Sequence, residues 1–369
     1  MTDLLEAVDE YQALEDLHEA GCTDGLPVVI PTPERVERMV LASGLDGGLS
    51  LGNMGPSGAA ATVEKVAVAA VMAGALPDYM PVVMAAVRAV TAPEFDSTEM
   101  QGTTHCLAPV IIVNGPARHS CGPVASGFGC LGPGHRANAS IGRSLRLVMM
   151  NVGGARPGIS DMALHGHPGK FTFCLAENEE DSPFSPLHTL RGYDVAQSAV
   201  TVAGVEAPES VLGVVDADDP TSARKLLRGI GQSLGRVGAN NAHFGRGAGV
   251  VVLNPDHAAA LARAGLDRDD VTEGIFEFAV NRAGDLKAVA TFDRRALKAE
   301  HDDVILPAFR SPEDILVLVA GGGGLYSMVM PSWGAGPHHN PSVSVEIETD
   351  QFCEVPGIAP NGSIDAPNG

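Results

Sequence analysis

TTHCLAPVIIVNGP, residues 103–116, is the stretch on which the reading of this chain turns. Its middle, residues 108–114, is a run of apolar and mostly β-branched residues closed by Asn-Gly-Pro. A run that is apolar at every position, not at every second one, is the pattern of a strand covered on both faces. Downstream, GFGCLGPGH (residues 127–135) is a glycine loop that leads into a helical pattern over residues 136–151, closed by Gly153 and Gly154. A strand, a glycine-rich loop and a helix in this order predict an α/β unit with a site at the loop.

The rest of the chain extends this pattern. Residues 3–19 carry apolar side chains at a helical period, and Thr32 with Pro33 caps a second helix that runs to Ser43. Residues 44–61 are rich in Gly, Ser and Ala without periodicity, which predicts a loop. Helices over 62–75 and 79–90 are apolar nearly all round. That is more apolar surface than one monomer core covers, so a homo- or hetero-oligomer is expected. Strands are predicted over 171–176, 199–205 and 211–215, with a loop over 187–194. Beyond residue 220, helices over 222–235, 255–265 and 267–280 alternate with strands over 249–254 and 314–320. The fold class is therefore α/β: mixed or mainly parallel sheets with flanking helices, an N-terminal helical half and a C-terminal α/β half. The expected division is 1–195 for the glycine-loop domain, 196–346 for the α/β domain, and 347–369 for a disordered or partner-wrapping tail. VIIVNGP, VVVLNPD and LVLVAGG share a strand-then-turn pattern, read here as three ordinary strands ending at loops.

Charge narrows the function classes. With 45 Asp and Glu against 24 Lys and Arg, the net charge of −21 argues against nucleic acid and against an anionic membrane face. The longest apolar run, residues 66–76, is too short to span a bilayer. The acidic first twenty residues do not read as a secretory signal, and six cysteines in 369 residues do not read as a disulfide framework. A cytoplasmic setting with free thiols is expected.

Residues 103–170 hold three cysteines and five histidines. Cys130 lies among glycines just before a helix, where the helix dipole lowers a thiol pKa, so it is the first candidate nucleophile. Cys106, with His105 beside it, is the second. His105 or His135 would serve as acid or base. Arg136, Ser140 and Arg143 share one face of the 136–151 helix and, with the amides of Gly132 and Gly134, are candidates to hold an anion. Lys170, Tyr326 and Ser327 complete the candidate binding set; the last two follow a glycine turn at a strand's carboxyl end. His165 and His167, with Asp161 upstream, are an alternative metal pair. Cys121, nine residues before Cys130, matches no zinc spacing.

GCTDGLPVVIPTPERVERM, TVEKVAVAAVMAGALPDYMPVVMAAV, TTHCLAPVIIVNGP, GPGHRANASIGRSLRLVMMNVGG and HPGKFTFCLAENEEDSP together resemble a little-characterised bacterial family associated with the proteins named for a Cys/Sec-Gly-Ser-Cys (UGSC) motif. The resemblance covers roughly residues 20–345 and implies thiol or selenol redox chemistry. The chain has no Cys-Gly-Ser-Cys, so no site residue is transferred from the family.

The residues point to an enzyme that uses cysteine-thiolate chemistry (covalent addition, C–S bond chemistry or thiol redox) on a small anionic substrate. Two other readings stand beside it. One is a metal-dependent hydrolase or lyase with His, Cys or Asp ligands. The other is a non-catalytic subunit of an oligomer. The cofactor stays open between none, zinc and iron.

Overall fold

The structure is a computed structural model that describes residues 6–216, 218–290 and 292–348. In chain order its longer elements are α1 (Glu10–Glu19), α2 (Pro33–Ser43), β1 (Ser50–Met54), β2 (Ala59–Thr62), α3 (Val63–Met72), α4 (Met80–Thr91), β3 (Ala108–Asn114), α5 (Arg136–Asn151), β4 (Cys174–Ala176), β5 (Ala199–Val205) and β6 (Glu209–Leu212). They continue with α6 (Ser222–Leu234), β7 (Gly249–Leu253), α7 (Pro255–Arg263), α8 (Arg268–Phe278), β8 (Val280–Arg282), β9 (Ile305–Pro307), β10 (Ile315–Val319), β11 (Tyr326–Met330) and β12 (Val343–Glu346). The Thr32 cap expected from sequence is in place, and the structure adds a second at Asn254. The Thr32 hydroxyl accepts from Arg35 N at the start of α2, and the Asn254 side chain accepts from His257 N at the start of α7.

Two four-stranded sheets, β12-β5-β3-β4 and β10-β7-β11-β6, pack face to face, with helices on both outer faces. Alternate residues of each strand enter different cores. Ile111 and Val113 of β3 face α3, α4 and α5, while Val110 and Ile112 face the other sheet. On the second sheet, Val251 and Leu253 face α6, α7 and α8, while Val250 and Val252 meet the first sheet. This is why the strands read as unbroken apolar runs. The fold is α/β, as the sequence predicts. Its sheets are mixed: β3-β4 and β7-β10 are parallel, and the other pairs in both sheets are antiparallel.

The two sheets share one wiring. β3 crosses over through α5 to its parallel neighbour β4, and β5 returns antiparallel on the other side of β3. β7 crosses over through α7 and α8 to its parallel neighbour β10, and β11 returns antiparallel on the other side of β7. Each unit then gives its fourth strand away: β6 pairs with β11, and β12 pairs with β5. The two returning strands meet end to end at the Val205–Ser332 bridge. VIIVNGP and VVVLNPD, whose shared strand-then-turn pattern reads as ordinary, therefore occupy matching central positions in a repeat of topology. The exchange also means that a cut between 195 and 196 does not separate the sheets, because the first sheet takes β5 and β12. The N-terminal half is likewise more than helical, since it builds two of the four strands of that sheet, β3 and β4.

Two further expectations are corrected, and with them the premise of a third. Residues 44–61 contain the antiparallel β1–β2 hairpin, whose small residues and irregular register hide the strand alternation. The short helix Leu187–Leu190 stands where a loop is predicted. The apolar faces of α3 and α4 are covered within the chain by α5 and the first sheet, which removes the premise for expecting an oligomer. Of the expected tail, residues 349–369 lie outside the described residues. Ile347 is buried with its N–H on Ser198 O at 2.8 Å, and Glu348 pairs with Arg88 at 2.8 Å, so the docked chain extends past 346.

A buried polar knot joins the halves. Glu177, just past β4, accepts from Asn114 Nδ2 (2.6 Å), Leu187 N (2.7 Å) and Arg268 Nη2 (2.6 Å). Arg268, at the start of α8, also donates to Val317 O on β10. Among the described residues no helix is long and apolar enough to cross a membrane.

Candidate functional site

The loop after α5 folds back beside the segment that enters β3. Met162 N donates to Gln101 O at 2.9 Å, and Leu164 N donates to Thr104 O at 3.1 Å. Between this loop and α5 lies an open cavity of about 500 Å³, whose lining includes Arg146, Met150, Asp161, His165, His167, Lys170 and Phe171. Its base is a charged triple. The Asp161 carboxylate accepts from Lys170 Nζ at both oxygens (2.9 Å each) and from Arg146 Nη2 (2.9 Å). Burial pushes the Asp161 carboxyl up, but the hydrogen bonds and charges of Lys170 and Arg146 outweigh it and hold the group below its ordinary range. Burial of Lys170 lowers its affinity for a proton. The bonds from Asp161 oppose this, and so does the electrostatic influence of the neighbouring Cys106. The two shifts pull the pair in opposite senses. The geometry of three short bonds to one carboxylate favours the ionised pair.

Beside this base, His105 Nε2 meets Glu206 Oε1 at 3.1 Å, and Glu206 is also bound by Arg236 at 2.7 Å. The carboxylate orients the His105 ring, and its Nδ1 is buried without a hydrogen-bond partner. His167 has both ring nitrogens engaged: Nδ1 accepts from Gly169 N at 3.1 Å and Nε2 faces Val205 O at 3.3 Å. With burial as the main cause, its pKa lies below the ordinary value. A ring held this way caps the turn Pro168–Lys170 and is not free to ligate a metal. Among the described residues, no group of three or more His, Cys, Asp or Glu is placed to hold a metal ion.

The structure splits the candidates into two groups. His105, Cys106, His165, His167 and Lys170 gather before β3 and around the cavity. Cys130, Gly132, Gly134 and His135 lie elsewhere, beside the loop after β10, where Gly321 N donates to Ser126 O at 2.7 Å. Cys130 is only 6% exposed and packs between the sheets. The expected lowering of its pKa is reversed: burial pushes the thiol up, although the N–H groups of Gly321, Leu131 and Cys130 itself oppose the shift. His135 turns its Nε2 to Phe128 O at 3.2 Å.

The expected anion face of α5 serves the fold instead. Arg136 donates to Gly74 O from Nε (3.2 Å) and Nη2 (3.0 Å), and Ser140 Oγ donates to Arg136 O at 2.7 Å. Arg143 clamps Asp24 with two bonds of 2.8 Å and reaches Pro27 O at 2.9 Å, fastening the segment before α2 to α5. Tyr326 is exposed, and Ser327 is buried against His257 Nδ1 at 2.8 Å, so neither lies in the cavity. Sequence reasoning missed Arg146 and Glu206. Arg146 follows Arg143 by three residues, and the arginine run on α5 was the available signal, but nothing local shows which arginine meets a cavity.

The paired acids predict how stability depends on pH. Asp24, Asp161 and Glu206 are all held below their ordinary range: burial raises each, and the facing cations lower it further. Such a carboxylate adds stability that is present above its unfolded pKa and is lost as pH falls through its folded value. The urea midpoint is therefore expected to fall on acidification, most steeply below about pH 4. Asp161→Asn, which cannot titrate, should remove part of that fall. A midpoint that rises below pH 5 (about one unit above these unfolded values) contradicts this account.

No family model, curated protein or solved structure matches the chain.

Proposed function

We propose that this chain is an enzyme of cysteine-thiolate chemistry acting on a small anionic substrate, with Cys106 as the thiol and the Arg146–Asp161–Lys170 cavity as the substrate site. The observation that carries the reading is Lys170, a largely buried ammonium shared between Asp161 and the field of Cys106 at the base of an open cavity. The nucleophile would be the thiolate form of Cys106. Arg146 supplies donors for the anionic substrate. His105, oriented by Glu206, is the neighbouring acid or base.

The test is residue-resolved alkylation by iodoacetamide at pH 7.5 (about one unit below the free thiol pKa). Cys106 should react readily in the unaltered chain, and Lys170→Met should slow it measurably. Circular dichroism reports whether the variant keeps its fold. A Cys106 that is inert, or whose rate does not change in a folded Lys170→Met, rules out this assignment.

A further inference from the structure

We infer that the cavity takes a monocarboxylate with an apolar body, an aryl or medium-chain alkyl carboxylate. Its head would bind the guanidinium of Arg146 beside Lys170, and its body would lie along Met150, Pro157, Pro168 and Phe171. The inference rests on the reading that this cavity is the substrate site, but not on the role of Cys106.

Three observations carry it. The first is the unfilled donor set of Arg146. Its side chain is only 11% exposed, yet among the described residues only Nη2 donates to a protein atom, on Asp161. Arg146 lines the cavity, and neither its Nε nor its Nη1 bonds a protein acceptor among the described residues, so both stay available to a ligand. A carboxylate matches its planar fork with two parallel bonds.

The second is charge. Arg146 and Lys170 face one carboxylate, Asp161, so with the Cys106 thiol protonated one positive charge remains at the base. The other acid in the lining, Asp24, is closed by its two bonds to Arg143. One negative charge neutralises the base. A phosphate dianion or a dicarboxylate would bring an excess charge beside Asp161 and Asp24, in a partly buried setting where repulsion is poorly screened.

The third is the wall. Above the charged base the lining includes Met150, Pro157, Ala163, Pro168 and Phe171. On the same loop Ile159 is 80% exposed and Leu164 is 73% exposed. A volume of about 500 Å³ falls in the usual range for small-molecule pockets, roughly 300–1,000 Å³. That is far more room than acetate or an inorganic ion fills, so the apolar wall requires an apolar partner.

The experiment is isothermal titration calorimetry on the full chain at pH 7, below the range of a free thiol pKa (about 8.5). The ligands are octanoate, benzoate, acetate, succinate, inorganic phosphate and octylamine. Octanoate and benzoate should bind at least about tenfold tighter than acetate, consistent with burial of several methylene groups or a ring. Succinate, phosphate and octylamine should be weaker than octanoate by a similar factor. Arg146→Met should weaken octanoate at least tenfold, about 1.4 kcal/mol, while Cys106→Ala should leave it unchanged. Because Arg146→Met also disturbs Asp161, a second readout uses the unaltered chain: octanoate, and not octylamine, should slow alkylation of Cys106.

The inference is overturned if acetate or phosphate binds as tightly as octanoate, if octylamine competes with octanoate, or if a folded Arg146→Met keeps full affinity. Octanoate binding with an inert Cys106 upholds the carboxylate site and removes the thiolate reading. A reactive, Lys170-dependent Cys106 in a chain that does not bind octanoate does the reverse.

Discussion

Glu177→Ala is expected to lower folding stability by about 3–5 kcal/mol, the loss typical when one partner of a buried ion pair is removed. Glu177 is fully buried and Arg268 nearly so, at 2.6 Å from each other. Without the carboxylate, the Arg268 guanidinium stays buried beside Val317 O with no counter-charge. Asn114 Nδ2 keeps a second acceptor in Glu179 at 3.0 Å, but Leu187 N loses its side-chain acceptor. The cost is large because the chain cannot open locally to hydrate these groups: they lie where β3, β4, β10 and the start of α8 converge. Glu180→Ala is the control. Glu180 also bonds an arginine, Arg118, but its side chain is half exposed and its removal should cost under about 1 kcal/mol. Urea denaturation of both variants measures the difference. Arg268→Met combined with Glu177→Ala should recover part of the loss, since no lone charge then remains buried. Equal midpoints for Glu177→Ala and the unaltered chain would show that the knot does not hold the halves together.

The second large effect is kinetic. At pH 7.5 (about one unit below the free thiol pKa), Cys106 should react with iodoacetamide at least about 1,000-fold faster than Cys121 or Cys174. Burial lifts the Cys121 thiol to about 11, against the bond from Ser120, and lifts Cys174 higher still. Each pH unit below a thiol's pKa costs about tenfold in thiolate, and a buried sulfur also waits for an opening of the structure. Cys130 should label slowly as well, which reverses the order that its place before α5 suggests. Peptide mass spectrometry over a time course separates the sites. If Cys130 labels alongside Cys106 in the folded chain, the inter-sheet packing is looser than described and the active thiol must be sought there.

Much of the local structure was legible. Residues 108–114 and 199–205 read as strands because apolar residues run through them almost unbroken, and both are strands over those bounds. Thr32-Pro33 marks a helix start because a side-chain acceptor and a fixed proline φ act within one turn. The β1–β2 hairpin escaped because its strands carry Gly52, Asn53 and alanines, with no apolar alternation to read.

The site was legible only in part. Sequence density singled out residues 103–170, and the cavity is built largely from that stretch together with Asp24 and Phe171. Local logic then chose the wrong thiol environment. A cysteine among glycines before a helix has a lowered pKa only if water reaches it, and whether water reaches Cys130 depends on the second sheet, whose strands begin more than seventy residues later. Likewise the apolar helices α3 and α4 look unfinished until the first sheet covers them.

What this sequence determines by itself are the elements, because helix caps, turn residues and apolar runs act through neighbours a few residues away. Tertiary structure alone decided the rest: the exchange of β6 and β12, the closing of Arg143 on Asp24, the meeting of Arg146 and Lys170 at Asp161, and the burial of Cys130. Each of these depends on contacts between segments distant in the chain, and burial and electrostatic partnership follow distance in space and not separation in sequence.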